Sequence, residues 1–390
     1  MSTIKVTNIE HASTGNGGIQ LDSSGHVTVD GVAYPSAGSL SGRNRIINGD
    51  MRIDQRNDGA SVTVNSGTST FGVDRWKGQA SGGGVYTQQR SSIAPAGFSN
   101  STLLTVTTAD SSIAASDYYI WGQAVEGFNA ADFAWGTADA KTLTLSFWVR
   151  ASVTGTYALF LGNNADNRSI VYTYTISAAN TWEQKSIAIS GDTSGTWATD
   201  NSIGIGLWFT LGAGSNFNAT AGVWNSTLEM NTNGSANWIA TNGATFYITG
   251  VQLEVGSVAT PFEHRSYSDE LARCQRYFQT SFISNPSTTN TDNDGVVMFG
   301  GSAAGTTTSF IGGAHVQINP EMRATPTITL YDLANPRNTG KCQRHVFGLP
   351  GANNQGAVIF DQSPKSFLVR SDSGHSGSGI IFHYKVEAEL

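Results

Sequence analysis

A period of two runs through most of this chain and commits its large domains to β structure. Over 142–149, Leu143, Leu145, Phe147 and Val149 alternate with Thr142, Thr144, Ser146 and Trp148, the spacing that sends successive side chains to opposite faces of a strand. Comparable runs occur at 157–161, 170–176, 187–189, 203–211 and 246–255, separated by loops rich in Gly, Asn and Ser. Short β runs divided by turn chemistry predict a two-sheet sandwich of the jelly-roll type. No self-similarity recurs at a spacing of roughly 20–50 residues, which argues against a propeller or a parallel β-helix.

The runs fall into unequal blocks. All nine Trp (76, 121, 135, 148, 182, 197, 208, 224 and 238) lie within 43–265, marking one Trp-rich jelly-roll domain. Before it, residues 1–42 are short and Gly-punctuated: Ile19–Leu21 and His26–Val29 predict a hairpin closed at Ser23, Ser24 and Gly25, and 35–42 reads as a linker. So small a segment needs a partner to bury it. After the jelly roll, 266–281 predicts a connecting helix, with Ser268 as its cap, Asp269 and Glu270 in the first turn and Arg273 and Arg276 near the end. Tyr267, Leu271, Cys274 and Phe278 form a narrow apolar seam, which either lies on the chain's own domain or packs around a symmetry axis. Residues 282–390 resume β patterning without any Trp and predict a smaller distal β-sandwich. The expected fold class is therefore mainly β.

Charge narrows the function. With 22 basic against 29 acidic residues and a formal charge of −7, the chain has no basic stripe for nucleic-acid phosphates. No apolar run is long enough for membrane insertion, and the amino terminus lacks a secretory signal, so assembly in a cytoplasm is expected. Cys274 and Cys342 are too few for a disulfide framework. Charged residues make up only 13% of the chain, about half the usual share, which leaves a surface of Ser, Thr and Asn.

Aromatic faces flanked by Asp and Asn suit the apolar side and hydroxyl rim of a sugar. Trp121, Trp135, Trp197, Trp224 and Trp238 sit in Gly/Asn/Asp contexts and are the carbohydrate-binding candidates, whereas Trp148 and Trp208 lie in strands and Trp182 next to one, as core or sheet surface. In the distal domain Arg337, Arg344, His345 and His375 are further candidates, with His383 nearby in sequence. Asn290 to Gly295 matches the first half of a calcium loop, but the twelfth position is Gly301, so a plain acidic turn is expected. No metal-ligand spacing, phosphate loop or nucleophile motif occurs, so neither cofactor nor catalytic residue is assigned. Only the acidic stretch Asp110, Asp117, Glu126, Asp132 and Asp139 keeps glycan cleavage open, because a glycosidase needs just two carboxylates.

Three stretches, Asn44 to Arg56, Pro261 to Phe278 and Glu321 to Thr327, resemble tail-fibre and related receptor-binding proteins of tailed bacteriophages and prophages, and residues 1–30 resemble the virion-attachment ends of aquatic-phage fibres. The resemblance implies a homotrimeric adhesin of the virion tail, held through 1–42 to a tail or baseplate protein, whose distal β-domains meet host surface polysaccharide or lipopolysaccharide. A polysaccharide depolymerase and a structural baseplate or adaptor component are the alternatives. The motifs also have a structural reading. Asn48-Gly49-Asp50 is turn chemistry, Arg45, Arg52 and Arg56 are placed to pair with Asp50 and Asp54 and lock the domain entrance, and Pro326 favours an extended Thr325 that begins an edge strand.

Overall fold

The computed structural model describes residues 8–9, 18–21, 27–29, 32–33, 42–283, 286–299, 313–346, 349–371 and 379–390. It divides into two units, one comprising Met1–Arg52, Thr63–Thr70 and Trp76–Arg265, the other Ile53–Val62, Phe71–Arg75 and Ser266–Leu390. The sequence division placed 43–265 in the jelly roll, 266–281 in a helix and 282–390 in a distal domain. The two short segments 53–62 and 71–75, which that division left in the jelly roll, join the second unit.

At the amino end, β1 (Asn8–Ile9), β2 (Ile19–Leu21), β3 (Val27–Val29) and β4 (Val32–Ala33) form an antiparallel meander in chain order. The hairpin pairs Ile19 with Val29 and Leu21 with Val27. Its turn at Ser23 to Gly25, like most of 1–42, lies outside the described residues.

Thirteen strands follow: β5 (Val62–Val64), β6 (Thr68–Phe71), β7 (Lys77–Ala80), β8 (Val85–Ser91), β9 (Ser101–Thr108), β10 (Tyr118–Glu126), β11 (Leu143–Ala151), β12 (Gly155–Gly162), β13 (Ser169–Ile176), β14 (Glu183–Ile189), β15 (Ile203–Ala213), β16 (Trp224–Asn225) and β17 (Thr245–Val255). They make a seven-stranded sheet, β16-β13-β12-β15-β10-β7-β6, and a six-stranded sheet, β14-β11-β17-β9-β8-β5, the jelly-roll sandwich that the alternation predicts. The inward positions of β11 (Leu143, Leu145, Phe147 and Val149) are fully buried, as are Leu207, Phe209 and Leu211 of β15. Phe147 meets Phe209 edge to face across the core, with ring centroids 5.0 Å apart. Truncating either ring to Ala costs about 3–5 kcal/mol.

The two ends of this unit are clasped together. Arg45 N donates to Leu253 O at 2.9 Å, Val251 N donates to Gly49 O at 2.9 Å, and the Asn44 side chain bonds Val251 O at 3.0 Å and Leu253 N at 3.1 Å. Asn44 N in turn donates to Glu263 Oε2 at 2.8 Å, Gly42 N donates to the other oxygen of that carboxylate, and Arg265 donates to the carbonyls of Ile46 and Asn44. Burial pulls the Glu263 carboxyl upward, but the Asn44 and Gly42 amides and the Arg265 charge outweigh it and hold the group below the usual carboxylate range. A Cβ on Gly49 would stand 2.2 Å from Val251 O, so the motif needs a glycine for close approach. Of the expected pairings, Arg52 does meet Asp50 at 2.5 Å, while Arg45 pairs with Asp132 at 2.7 Å.

In the second unit, α1 (Tyr267–Gln275) leads into β18 (Phe278–Thr280), β19 (Val297–Phe299), β20 (Gly313–Gln317), β21 (Thr327–Tyr331), β22 (Lys341–Val346), β23 (Leu349–Phe360), β24 (Ser366–Ser371) and β25 (Gly379–Glu387). These join as β18-β25-β22-β23-β24-β20, with β19 and β21 also paired to β25. Val316 of β20 and Phe382 and Val386 of β25 share one core with Leu330, Cys342, Phe367 and Val369, so the sheet folds over on itself. Thr327, just after Pro326, opens β21, which pairs with β25 along its length and bridges Thr339 at Tyr331.

The helix corrects three expectations. Ser266, not Ser268, caps it, accepting from Asp269 N at 3.2 Å. It stops at Gln275, so Phe278 is a strand residue. Cys274 and Phe278 are fully buried by their own chain, with the Arg56 guanidinium 3.9 Å from the Phe278 ring centroid, and so have no face for a trimer axis. Leu271 is half-buried and Tyr267 remains 58% exposed. Arg56 pairs with Glu387 and with Glu389 instead of an acid in its own motif, and Arg75 pairs with Glu389 and lies over Tyr277. These contacts with the carboxyl-terminal strand account for 53–62 and 71–75 belonging to this unit.

Candidate functional site

The five Trp singled out in loop-like contexts separate into two groups. Trp121 lies in β10 and stacks on Trp76 with centroids 4.3 Å apart and planes 3° from parallel, its indole donating to Gln88 Oε1 at 3.1 Å. Trp238 lies edge-on to Tyr86 at 6.1 Å and Phe246 at 6.4 Å. Both are completely buried, which removes them as ligand contacts: their polar neighbours in sequence mark the edges of the core and not its exterior.

Trp135, Trp197 and Trp224 come together. Their centroids are 4.8, 5.2 and 5.5 Å apart and every pair meets at 78–82°. Beside them Arg168 grips Asp192 bidentately, Nε to Oδ2 at 2.8 Å and Nη2 to Oδ1 at 2.5 Å. Every indole N–H in the trio is spent inside the protein: Trp135 donates to Lys141 O at 2.8 Å, Trp197 to Asp192 Oδ2 at 3.1 Å and Trp224 to Ser190 O at 3.2 Å. The cluster fastens three loops to one another, and only Trp197 and Trp224 keep partial exposure.

Trp148, Trp182 and Trp208, read from sequence as core or sheet surface, are all half-buried, and none makes an indole hydrogen bond among the described residues. Trp208 is the best placed. On the outward side of the seven-stranded sheet it stands opposite Gly122 of β10, which in turn pairs with Lys77 of β7, and opposite Phe160 of β12 on its other flank. A Cβ on Gly206 would come within 2.5 Å of the Trp208 Nε1, and one on Gly122 within 2.8 Å of Cε3. The indole thus lies flat across two glycines, its ring parallel to the sheet. Lys77 Nζ is 5.5 Å from the ring centroid. The chain covers part of this face with Phe217, Ala219, Leu228 and Met230, packed on Ile120, Ala158, Phe160 and Val171. A flat indole with an unspent N–H beside an ammonium can stack on the apolar face of a sugar and hydrogen-bond its rim. The other two lie with the six-stranded sheet: Trp148 pairs in register with Gln184 and Thr249, and Trp182 contacts Tyr247 edge-on at 6.2 Å. Alternation had placed these side chains on the sheet, and the glycines opposite and beside Trp208 were the available signal for an open one.

The distal candidates do not assemble. Arg337 is only 3% exposed and serves as an internal cation for the 290–295 loop. It donates from Nε to Asn290 O at 2.6 Å, from Nη1 to Asp332 O at 2.9 Å, from Nη2 to Asn293 Oδ1 at 3.3 Å, and to Asp292 O. The segment that resembles half a calcium loop therefore wraps a guanidinium. His383 is buried against Phe282, rings stacked 4.0 Å apart, with Ser281 Oγ at 3.0 Å and Asp292 O at 3.1 Å. Burial, reinforced by the Arg337 charge, holds its imidazole down at about 4. Arg344 is half-buried on β22, the backbone of His345 pairs with Gly379, and His375 lies outside the described residues. Among the described residues no three His, Cys, Asp or Glu side chains are grouped to hold a metal ion, and no helix is long and apolar enough to cross a membrane. Within the acidic stretch, Asp110 accepts from the Tyr119 hydroxyl at 2.7 Å and Asp132 is held by Arg45.

No family model matches the chain, and no curated protein does. Among solved structures, the enzymatically active domain of tailspike protein 4 from bacteriophage CBA120 aligns with 57% of this chain and 24% of its own, at 15% identity and a TM-score of 0.29. A family 11 carbohydrate-binding module from Clostridium thermocellum, solved with a mixed-linked tetrasaccharide, aligns over 52% of this chain and 98% of its own, at 13% identity and a TM-score of 0.27. The module-bearing xylanase 10B of the same organism aligns over 51% and 28% of the two chains, at 14% identity and a TM-score of 0.26. The chain thus spans about a quarter of the tailspike domain's length.

Proposed function

We propose that this chain is a glycan-binding adhesin of a bacteriophage tail, a homotrimeric fibre or receptor-binding protein whose 1–42 segment docks on a tail or baseplate protein. It binds host surface polysaccharide or lipopolysaccharide and needs no cofactor. The observation that carries the sugar-binding part is Trp208: a partly buried indole laid flat on the outward side of a sheet, its N–H uncommitted, with Lys77 alongside. The motifs at 44–56, 261–278 and 321–327 support the phage part. Their physical role, seen in the clasp of Asn44, Gly49, Glu263 and Arg265, is architectural. Weak single contacts suffice for such a protein, because simultaneous engagement by three chains raises effective affinity by about 10²–10⁴ without any new contact.

The test is adsorption of the purified full chain to host cells or their isolated polysaccharide, with its mass measured by sedimentation. Trp208→Ala is expected to weaken adsorption at least about tenfold, in line with the loss of one stacked aromatic contact, while leaving the thermal transition in place. Undiminished adsorption by Trp208→Ala, or loss on Trp148→Ala alone, would move the site off the seven-stranded sheet. A monomer mass would refute the trimer, and a falling polysaccharide mass would mark a depolymerase.

A further inference from the structure

Where β15 ends, the loop around Ser112, Asn218 and the segment 231–237 line an open cavity of about 360 Å³, a size within the usual range for small-molecule pockets. Its walls are Ser, Asn, Ala, Gly and Ile, and no Lys, Arg, His, Asp or Glu side chain lines it. Its three asparagines, Asn218, Asn231 and Asn237, carry buried Oδ1 atoms without a protein hydrogen-bond partner. For two of them the orientation is set by the other end of the amide, since Asn231 Nδ2 donates to Ala213 O at 3.5 Å and Asn237 Nδ2 to Asp110 O at 3.3 Å. A carbonyl only accepts, so each Nδ2 must stay where it is and each Oδ1 is left as the free end. Asn231 is 8% exposed. The glycine at 212 is part of the device: a Cβ there would stand 2.9 Å from Asn237 Oδ1 and 2.8 Å from Ile113 Cδ1.

Buried acceptors that no protein donor reaches call for a donor from outside the chain, water or ligand, and a ligand rich in donors can take that place. A hard divalent cation would also satisfy oxygens, but it calls for carboxylates, which this lining lacks. A phosphate or carboxylate ligand would face three amide oxygens and no positive charge. The chemistry that fits is a neutral group with several O–H donors, small enough for the cavity. We propose that this pocket is a binding site for one neutral sugar residue, its hydroxyls donating to Asn218, Asn231 and Asn237, distinct from the Trp208 surface. The choice of sugar among neutral polyhydroxylated ligands rests on the adhesin reading; the requirement for a neutral hydrogen-bond donor does not.

The experiment titrates the full chain with glucose, galactose, mannose and N-acetylglucosamine, followed by saturation-transfer NMR and calorimetry, with calcium chloride as the ionic control. At least one sugar is expected to bind with a dissociation constant of roughly millimolar order, and Asn231→Leu is expected to weaken it at least tenfold. Ser112 is exposed at the rim, so Ser112→Trp plugs the mouth without burying a polar group and gives the same loss in a variant whose fold is undisturbed. Binding of none of the four sugars, binding by either variant as tight as that of the unaltered chain, or calcium uptake that Asn231→Leu abolishes would each overturn the proposal. The two readings fail separately: a chain that adsorbs to cells but binds no free sugar keeps the adhesin and loses this pocket, and the converse result keeps the pocket and loses the adhesin.

Discussion

Replacing Arg337 by Ala withdraws a single guanidinium from four oxygens: the carbonyls of Asn290, Asp292 and Asp332 and the Asn293 amide. Hydrogen bonds to a charged group each contribute about 1.5–3 kcal/mol, but the sum is not recovered, because the exposed side of the 290–295 loop admits water and the burial cost of the charge disappears. A net destabilisation of about 2–4 kcal/mol is expected, which for a unit of this size lowers its melting temperature by about 10 °C. The same change acts on His383. Its imidazole is held at about 4, first by burial and then by the Arg337 charge. Removing the charge raises that value part of the way towards the ordinary one, since burial remains. Calorimetry of the full chain reads the first effect and the pH dependence of the His383 ring proton resonances reads the second. An unchanged melting temperature together with unmoved His383 resonances would refute the view that Arg337 is the cation of this loop.

Other outcomes follow from the same geometry. Because His383 is depressed in the folded state from its usual 6.5 to about 4, the unfolded chain takes up more protons between those values, so its stabilising contribution is complete above about pH 6.5 and declines as pH falls towards 4; thermal melts from pH 7 to 5 should show the decline, and His383→Asn should flatten it. Gly49→Ala forces a methyl to within 2.2 Å of Val251 O and should cost about 2–4 kcal/mol or block folding, read by denaturant titration of the jelly roll. Asp192→Asn breaks the bidentate pair with Arg168 and one acceptor of Trp197; a red-shifted tryptophan emission and faster proteolysis near 192–197 are expected, and an unaltered spectrum would show that the three rings hold without it.

Alternation read the sandwich well because an inward strand position is a local fact, repeated every two residues along β11 and β15. It could not tell which Trp keeps some exposure, since that depends on what crosses the sheet: Trp121 and Trp208 both sit in strands, yet one is buried against Trp76 in the core and the other lies beside Phe160 and Lys77 over the glycines 122 and 206. Loop context brought Trp135, Trp197 and Trp224 forward, and the fold does gather them, but with their N–H groups turned inward. Charge pairing was legible only at short range. Arg52 met its expected Asp50, whereas the partners of Arg56 lie 331 and 333 residues away at Glu387 and Glu389. The plain acidic turn expected at 290–295 likewise gave no sign of its cation, Arg337, 45 residues beyond Asp292. The helical seam was read from spacing alone, and a strand at 278–280 ended it one turn early.

The clasp between 42–49 and 251–265 also decides how the jelly roll responds to force. A pull applied to the chain on either side of this unit enters it near residue 42 and leaves near residue 265. Because Gly42 and Asn44 are bonded to Glu263, and Arg265 to Ile46, that load crosses a few ångströms of hydrogen bonds and does not travel through the strands. Under a pull between those two points, the sheet that carries Trp208 lies outside the path and keeps its shape.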